Sequence, residues 1–495
     1  MRTRKVVVVG AGIGGIAAAL DLAADGCEVI VCERAAAPGG KLRQVDVGGA
    51  LIDAGPTVLT MRWVFEDLAA AAGARLDDLL AMRRLKTFAR HAWSEQRTLD
   101  LHADVEESVD AIGRFAGSAD ANRYRQFCAD AERTYRTLER PFLRAARATP
   151  LGLAAQAGIA GLADLWRIKP FVSMWSAVGT YFRDPGLRQL FGRYATYCGS
   201  SPFLAPATLM LVAHVEREGV WQIAGGIALL ARALEKLAIA RGAVFRYCAE
   251  VAEINLRAGE ARGVRLASGE SIDADAVIVN ADVAALAAGL LGANVSSAVA
   301  AMPIRNRSLS AFTWMLVAEP RGFPLLHHTV FFSDAYAAEF ADLLRDSRVP
   351  RSPTVYVCAQ DRGDALDQVP HSAERLLCIV NAPAIGDTHT FSAEEKSSAE
   401  RGMLATLDRC GLQLRGNPNA RCMVTPSEFA RLFPGTGGAL YGMASHGWRA
   451  SFARPGVRTR VPRLYVAGGS AHPGPGLPMA ALSGRAAAAA VLARA

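Results

Sequence analysis

The segment that most constrains this fold lies near its N-terminus. Lys5-Val-Val-Val-Val9 is an apolar run without alternation, the pattern of a parallel strand covered on both faces. It ends at Gly10, and Gly10, Gly12 and Gly15 fall at G-x-G-x-x-G spacing, with Ala11 and Gly14 among them. Gly10 permits a tight turn, Gly12 lets a diphosphate approach the backbone, and Gly15 lets the next helix pack closely on the strand. Residues from Ile16 to Ala24 are strong helix formers, and Gly26 suits a C′ position. The free N–H groups at the start of this helix carry a partial positive charge toward a diphosphate. A second apolar strand, Val29-Ile-Val-Cys32, delivers Glu33 about 20 residues beyond the first glycine, where an acid binds ribose hydroxyls. Together these parts predict a dinucleotide site. Glu33 favours a free 2′-hydroxyl, as in FAD or NAD, over a 2′-phosphate.

A chain of 495 residues is too long for one ordinary core, so two or three subdomains are expected. Nine cysteines form no C-x-x-C pair, which suggests neither a disulfide framework nor a zinc site. The histidines are dispersed, and the adjacent His327 and His328 would point apart on a strand, so no metal site is expected. Arg2, Arg4 and Lys5 before an apolar run imitate a secretion signal. The glycines that follow fit a phosphate loop instead, and Asp21 comes soon after, so a signal peptide is not expected. No apolar run approaches the ~18 residues of a membrane-spanning helix. The net charge of +8 comes with no recognisable nucleic-acid module, so no nucleic-acid partner is expected. It suits an Arg-rich solvated surface or a face turned toward an anionic membrane.

Further on, Gly48-Gly49-Ala-Leu-Ile-Asp53 reads as a short strand entering the Gly55-Pro56 turn. Residues 62–80 read as a helix, and 106–220 are mostly helical with breaks at prolines. Gly225-Gly226 opens a helix over 227–241. Strands are expected at 244–248, 251–254, 263–266 and 276–279, completing the nucleotide domain. Further strands fall at 311–317, 330–332, 355–358 and 376–380, with a helix over 393–410. Leu464-Tyr-Val-Ala-Gly468-Gly469-Ser470 then leads to an Ala-rich C-terminal helix.

The chain resembles the bacterial-type carotenoid (phytoene) desaturases, within the amine-oxidase-like flavoproteins. The resemblance rests on Gly10 to Gly15, Glu33-Arg34, Pro38-Gly39-Gly40-Lys41, Asp53-Ala54-Gly55-Pro56-Thr57, Trp221 with Gly225-Gly226, and Val279-Asn280-Ala281-Asp282-Val283. It continues through Ala467-Gly468-Gly469 and His472-Pro473-Gly474-Pro475-Gly476-Leu477-Pro478. Leu440-Tyr441-Gly442 and Ser445-His446-Gly447-Trp448 look most like the hydroxyneurosporene and methoxyneurosporene desaturases. The fold so implied is α/β: a discontinuous Rossmann-type FAD-binding domain (1–85, 221–285 and 440–495), a mixed-sheet substrate domain (86–105 and 286–439) and a helical, membrane-facing region (106–220). Beyond Gly10, Ala11, Gly12, Gly14, Gly15 and Glu33, the resemblance assigns Arg34, Gly40, Lys41, Gly55 and Pro56 to the cofactor. Thr57 and Val58 would lie under the isoalloxazine, and Val251 would meet adenine. Gly468, Gly469, Ser470, Leu477 and Met479 would contact the pyrophosphate or flavin ring. Many relatives carry an acid where this chain has Ser470, so the hydrogen bond to ribityl or phosphate that such an acid makes does not carry over to this chain.

The reaction so implied is desaturation at C-3,4 of a 1-hydroxy acyclic carotenoid, with a hydride passing to flavin N5. Phytoene desaturation, isomerisation and ketolation are the alternatives, and a non-catalytic prenyl or lipid carrier is a remote one. Only one dinucleotide motif is present, so the substrate itself reduces the flavin, and oxygen or quinone is the expected acceptor. His472, His446 or a water are candidate proton acceptors, although a histidine in a packed loop is commonly structural. Phe142, Leu143, Leu151, Leu153, Ile159, Leu162, Leu165, Trp166, Ile168, Phe171, Val172, Met174, Trp175 and Tyr181 are interleaved with Arg140, Arg144, Arg147, Arg167 and Lys169. That pattern suits an interfacial helix or tunnel mouth on a membrane, or equally a substrate-domain helix packed in the core. A cytoplasmic protein held on the inner or photosynthetic membrane is the corresponding expectation.

Overall fold

The computed structural model describes residues 3–153, 155, 165–365, 370 and 372–493. Lys5–Val9 is the middle strand of a five-stranded parallel sheet, ordered Leu464–Val466, Ala276–Val279, Lys5–Val9, Glu28–Cys32, Val244–Arg246. Three chain segments far apart in sequence therefore build one nucleotide-binding layer. Val6, Val7 and Val8 are fully buried, as the unbroken apolar run requires. Helix Ile13–Ala24 packs against both Leu229–Ala240 and Leu477–Leu492. The approach to the C-terminal helix is backbone to backbone: a Cβ on Gly484 would lie 2.0 Å from the Gly14 carbonyl oxygen. Gly15 is as constrained, since its Cβ would fall 2.1 Å from the Gly10 oxygen.

The strands expected at 251–254 and 263–266 do not join this sheet. Val251–Arg257, Glu260–Leu266 and Ser271–Asp273 form a separate antiparallel sheet. Its first turn places Ala258 and Gly259 at φ +51° and +78°, the twist that a two-residue hairpin favours. The helix expected over 62–80 is likewise two helices, Trp63–Ala71 and Leu76–Leu79. Gly73, at φ +65°, breaks it by adopting a left-handed backbone.

A seven-stranded mixed sheet runs Leu412–Val424, Ser310–Gly322, Glu374–Ala382, Val355–Ala359, His328–Phe331, Thr87–Ser94, Arg97–His102. Only the pairing of His328–Phe331 with Thr87–Ser94 is parallel. Helix Ala393–Arg409 covers one face, burying Met403 and Leu407. The helical region includes Val105–Ala116, Ser118–Leu138, Met174–Tyr181, Pro185–Gly192 and Leu211–Glu218. Phe127, Phe182 and Phe191 form its buried aromatic centre. Helix Ser118–Leu138 passes into a π-turn over Glu139–Leu143; Pro141 cannot donate the regular helical hydrogen bond there.

Two motifs some 170 positions apart tie the Ala50–Asp53 strand to the start of helix Leu229–Ala240. The Asp53 carboxylate accepts the backbone N–H groups of Ile227 (2.8 Å) and Ala228 (3.3 Å). Gly226 makes room for it, because a Cβ there would lie 2.5 Å from Asp53 Oδ2. Gln360, from the mixed sheet, donates to the Asp53 carbonyl (2.8 Å) and accepts from its N–H (2.9 Å). The loop carrying Gly55, Pro56 and Thr57 therefore leaves a residue held by both the helix start and the mixed sheet.

Candidate active site

One cavity of about 1450 Å³ joins the glycine loops to the helical region. All the residues predicted for the cofactor line it except Ala11 and Gly15, which lie behind the wall. The Ala11 N–H is held by Glu33 Oε2 at 2.7 Å, while Glu33 Oε1 accepts from Ala35 N at 2.8 Å. Glu33 thus fastens the glycine loop to the end of its own strand while its carboxylate stays on the cavity wall. Gly12 also bridges to Gly39, whose N–H donates to the Ala11 carbonyl at 2.8 Å.

Bare backbone makes the adjoining surface. A Cβ on Gly40 would lie 3.3 Å from Gly12 Cα, and one on Gly14 would lie 3.0 Å from Gly468 Cα. Asn280, at the end of the central strand pair, wedges its amide among Gly12, Gly14 and Gly468. This convergence of N–H-rich, side-chain-free segments beside a helix N-terminus fits a dinucleotide diphosphate. Leu477–Leu492 begins at the same wall, with Leu477 and Met479 on it. Val251 and Glu250 line the cavity beside Glu33 and Arg34. Ser470 also lines the cavity, and its hydroxyl accepts from Val283 N at 3.0 Å, in the first turn of the Val283–Ala287 helix that Asp282 caps.

Two cations stand nearby, a half-buried lysine and a buried arginine. Lys41 Nζ donates to the Leu440 carbonyl at 2.6 Å; burial lowers its pKa, and Asp282 partly offsets that. Arg454 donates to the carbonyls of Tyr441 (3.0 Å) and Gly469 (3.2 Å), and burial lowers its pKa as well.

Farther along the wall, Thr57 Oγ1 and Tyr356 Oη are 2.7 Å apart, and Tyr356 Oη lies 2.6 Å from His328 Nδ1. His328 is buried with Nε2 unpartnered, and burial holds its pKa well below the usual imidazole value. The expectation that His327 and His328 point apart is overturned. Their rings meet edge to face at 4.5 Å, because His327 precedes the strand and turns its Nδ1 to the Ala359 and Arg362 carbonyls. With Cys358 they form a buried cluster, but His327 Nδ1 is engaged by those carbonyls and His328 Nδ1 by Tyr356.

Neither of the other predicted histidines reaches the cavity wall. His472 Nε2 bonds the Phe142 carbonyl at 2.8 Å, and His446 Nε2 accepts from Ser201 N at 3.1 Å. Burial lowers His446 to about 4. Both hold loops, as packed histidines commonly do.

Tyr356, Arg193 and Glu216 were not predicted for the site. Glu216 was legible in part: it stands four residues after Val212 on a helix whose cavity face carries Leu211, Val212 and Val215. Tyr356 and Arg193 carry no local signal, since each becomes a wall residue only through sheet and helix packing.

The far end of the cavity is apolar, with Leu153, Leu165, Trp166 and Phe171 on its wall. Trp166 is 74% exposed and Phe171 60%, and Trp448 packs edge-on against Phe171 at 5.4 Å. Of the predicted apolar segment, Ile159 and Leu162 lie outside the described residues.

A parallel-sheet dinucleotide cradle opening into a long apolar chamber beneath a mixed sheet defines an amine-oxidase-like flavoprotein. The model of the flavin-containing amine oxidoreductases matches residues 13–492. The chain is 52% identical over 490 residues to a hydroxyneurosporene desaturase of Rubrivivax gelatinosus, covering 99% of this chain and 93% of that one. It is 43% identical to the hydroxyneurosporene desaturase of Cereibacter sphaeroides, covering 99% and 97%. An oxidoreductase structure from Methanosarcina mazei shares the fold, with a TM-score of 0.60 at 16% identity, covering 99% of this chain and 100% of that one. The chain belongs to the flavin-containing amine oxidoreductase family, in the branch of the carotenoid desaturases, and FAD is its cofactor.

Proposed function

We propose that this protein is an FAD-dependent desaturase that introduces the C-3,4 double bond into 1-hydroxy acyclic carotenoids. The observation that carries the reading is full-length similarity to hydroxyneurosporene desaturases in a chain whose glycine cradle and apolar chamber form one cavity. Gly12, Gly14, Glu33, Gly40, Lys41, Gly468 and Gly469 are the residues we assign to holding FAD, with Thr57 and Val58 beneath its ring. The domain division read from the sequence accompanies that assignment.

Bound FAD supplies a hydride acceptor at N5. The chain's own work is to align the C-3,4 bond along the chamber and exclude water. Loss of hydride leaves an allylic cation stabilised by the polyene, so the neighbouring C–H becomes strongly acidic and a weak base suffices. Tyr356 Oη on the wall takes that proton as its own passes to His328 Nδ1. Burial keeps that imidazole neutral, so its Nδ1 is free to accept and the ring gives the proton up again readily.

The exposed Trp166 and Phe171 at the mouth, near Arg167, Lys169 and Arg449, support docking on a membrane from which the hydrocarbon enters. Among the described residues no helix is long and apolar enough to cross a membrane. Oxygen or quinone is the acceptor this reading assigns.

The test is incubation with FAD, membranes and a panel of acyclic carotenoids, followed by chromatography. The expected product is the 3,4-didehydro derivative of 1-hydroxyneurosporene; conversion of phytoene but not of 1-hydroxyneurosporene refutes the assignment. Binding to anionic liposomes that weakens in Trp166→Ala/Phe171→Ala checks the docking face, and unchanged partition rejects it.

A further inference from the structure

The chamber wall is mostly apolar, yet a group of polar side chains interrupts it beside Tyr356. Glu216, 7% exposed, lines the cavity, and its Oε2 accepts from Tyr194 Oη at 2.7 Å. Arg193 lines the same wall, and among the described residues its guanidinium donates to Tyr197 Oη, at a long 3.5 Å. Among the described residues neither charge has an opposite charge within ion-pair distance. Arg193 Cζ lies 5.4 Å from the Tyr197 ring centre and 5.8 Å from that of Tyr356, and Tyr356 in turn holds Thr57 at 2.7 Å.

Charges withdrawn from water without an ion-pair partner are costly to maintain. Here the carboxylate offers acceptor capacity and the guanidinium offers unspent donors, both toward the chamber. A tertiary alcohol is the complementary ligand: it donates one hydrogen bond and accepts others. Position agrees with chemistry. In a 1-hydroxy carotenoid, one carbon separates the hydroxyl-bearing C-1 from C-3, so the hydroxyl must lie close to the ring that Thr57 underlies. The polar group adjoins that residue through Tyr356.

Resting on the substrate reading above, we propose that Glu216 and Arg193 form the receptor for the C-1 hydroxyl, with Tyr194 and Tyr197 orienting the carboxylate. The hydroxyl donates to Glu216 and accepts from Arg193. The pair thereby sets the depth at which the end group stops and brings C-3 and C-4 to the reacting position. An end group lacking the hydroxyl leaves the free donors of Arg193 and the free acceptor capacity of Glu216 unmet, and sites of that kind discriminate strongly.

The test uses FAD-loaded protein and two substrates, 1-hydroxyneurosporene and neurosporene. Binding is read from quenching of tryptophan fluorescence by the polyene, and turnover from product chromatography. Wild type is expected to prefer the hydroxylated compound by about 100-fold or more in kcat/KM. In Glu216→Gln and Arg193→Met, the preference in both Kd and kcat/KM should fall at least tenfold. A wild-type preference that both variants keep overturns the receptor and leaves the desaturase reading intact. A wild type that desaturates neither compound, or both equally, overturns the receptor together with the substrate assignment. Should the variants fail to retain FAD, binding of the two substrates to wild type decides: neurosporene bound at least tenfold more weakly than 1-hydroxyneurosporene supports the receptor, and equal binding overturns it.

Discussion

Replacing Asp53 with alanine tests whether its clamp on the start of helix Leu229–Ala240 positions the flavin loop. The carboxylate satisfies the N–H groups of Ile227 and Ala228 in a buried setting. Each N–H left without a partner costs about 1–3 kcal/mol, so the pair predicts a loss of roughly 2–6 kcal/mol. Unfolding entropy of about 2.1 cal/mol/K per residue gives near 1 kcal/mol/K for a chain of this length, so Tm should fall by roughly 2–6 °C if it melts as one unit. The loss is directional as well. Gly55, Pro56 and Thr57 follow Asp53 directly, so flavin occupancy should fall with stability. The assay is a thermal melt followed by flavin fluorescence, with the purified protein's flavin-to-protein absorbance ratio. Asp53→Asn keeps one acceptor and should fall between wild type and Asp53→Ala. An Asp53→Ala protein with full flavin content and a Tm within about 1 °C of wild type would refute the clamp.

Gly484→Val pushes a side chain into the Gly14 carbonyl, 2.0 Å from the position of its Cβ. Overpacking of this kind costs about 1–3 kcal/mol or more, and apoprotein should accumulate, measured as reduced flavin absorbance; full flavin content would argue against the contact. Tyr356→Phe interrupts the path from Thr57 to His328 and should reduce kcat about 10²-fold, the size of a general-base contribution, while flavin content and KM hold. An unchanged kcat would remove Tyr356 from the proton path. Burial raises Glu339 to about 7, and its Oε1 has no partner. The unfolded chain therefore ionises first, and this group costs stability as pH rises from its ordinary value toward 7, by about 3 kcal/mol in full. Glu339→Gln should gain Tm relative to wild type over that window and hold the gain above it; a difference independent of pH would show that Glu339 is not the titrating group.

The sequence carried the nucleotide cradle almost whole, because its determinants are local. β-branched residues in an unbroken run make a buried strand, and glycine alone tolerates the φ of +98° at Gly10 and the close contacts at Gly15. The acid at the next strand's end follows from the same short unit. Period and composition could not show which histidines reach the chamber. His472 and His446 were plausible by motif, yet packing turned them to backbone partners, while His328 reached the cavity only through Tyr356 on a neighbouring strand. Seven strands drawn from residues 87–424 had to pair before Tyr356 met Thr57. Helices on the other side had to close before Arg193 and Glu216 shared a wall. Local sterics determined where a dinucleotide binds. Long-range burial decided which polar groups remain unpaired beside it, and those groups face the substrate.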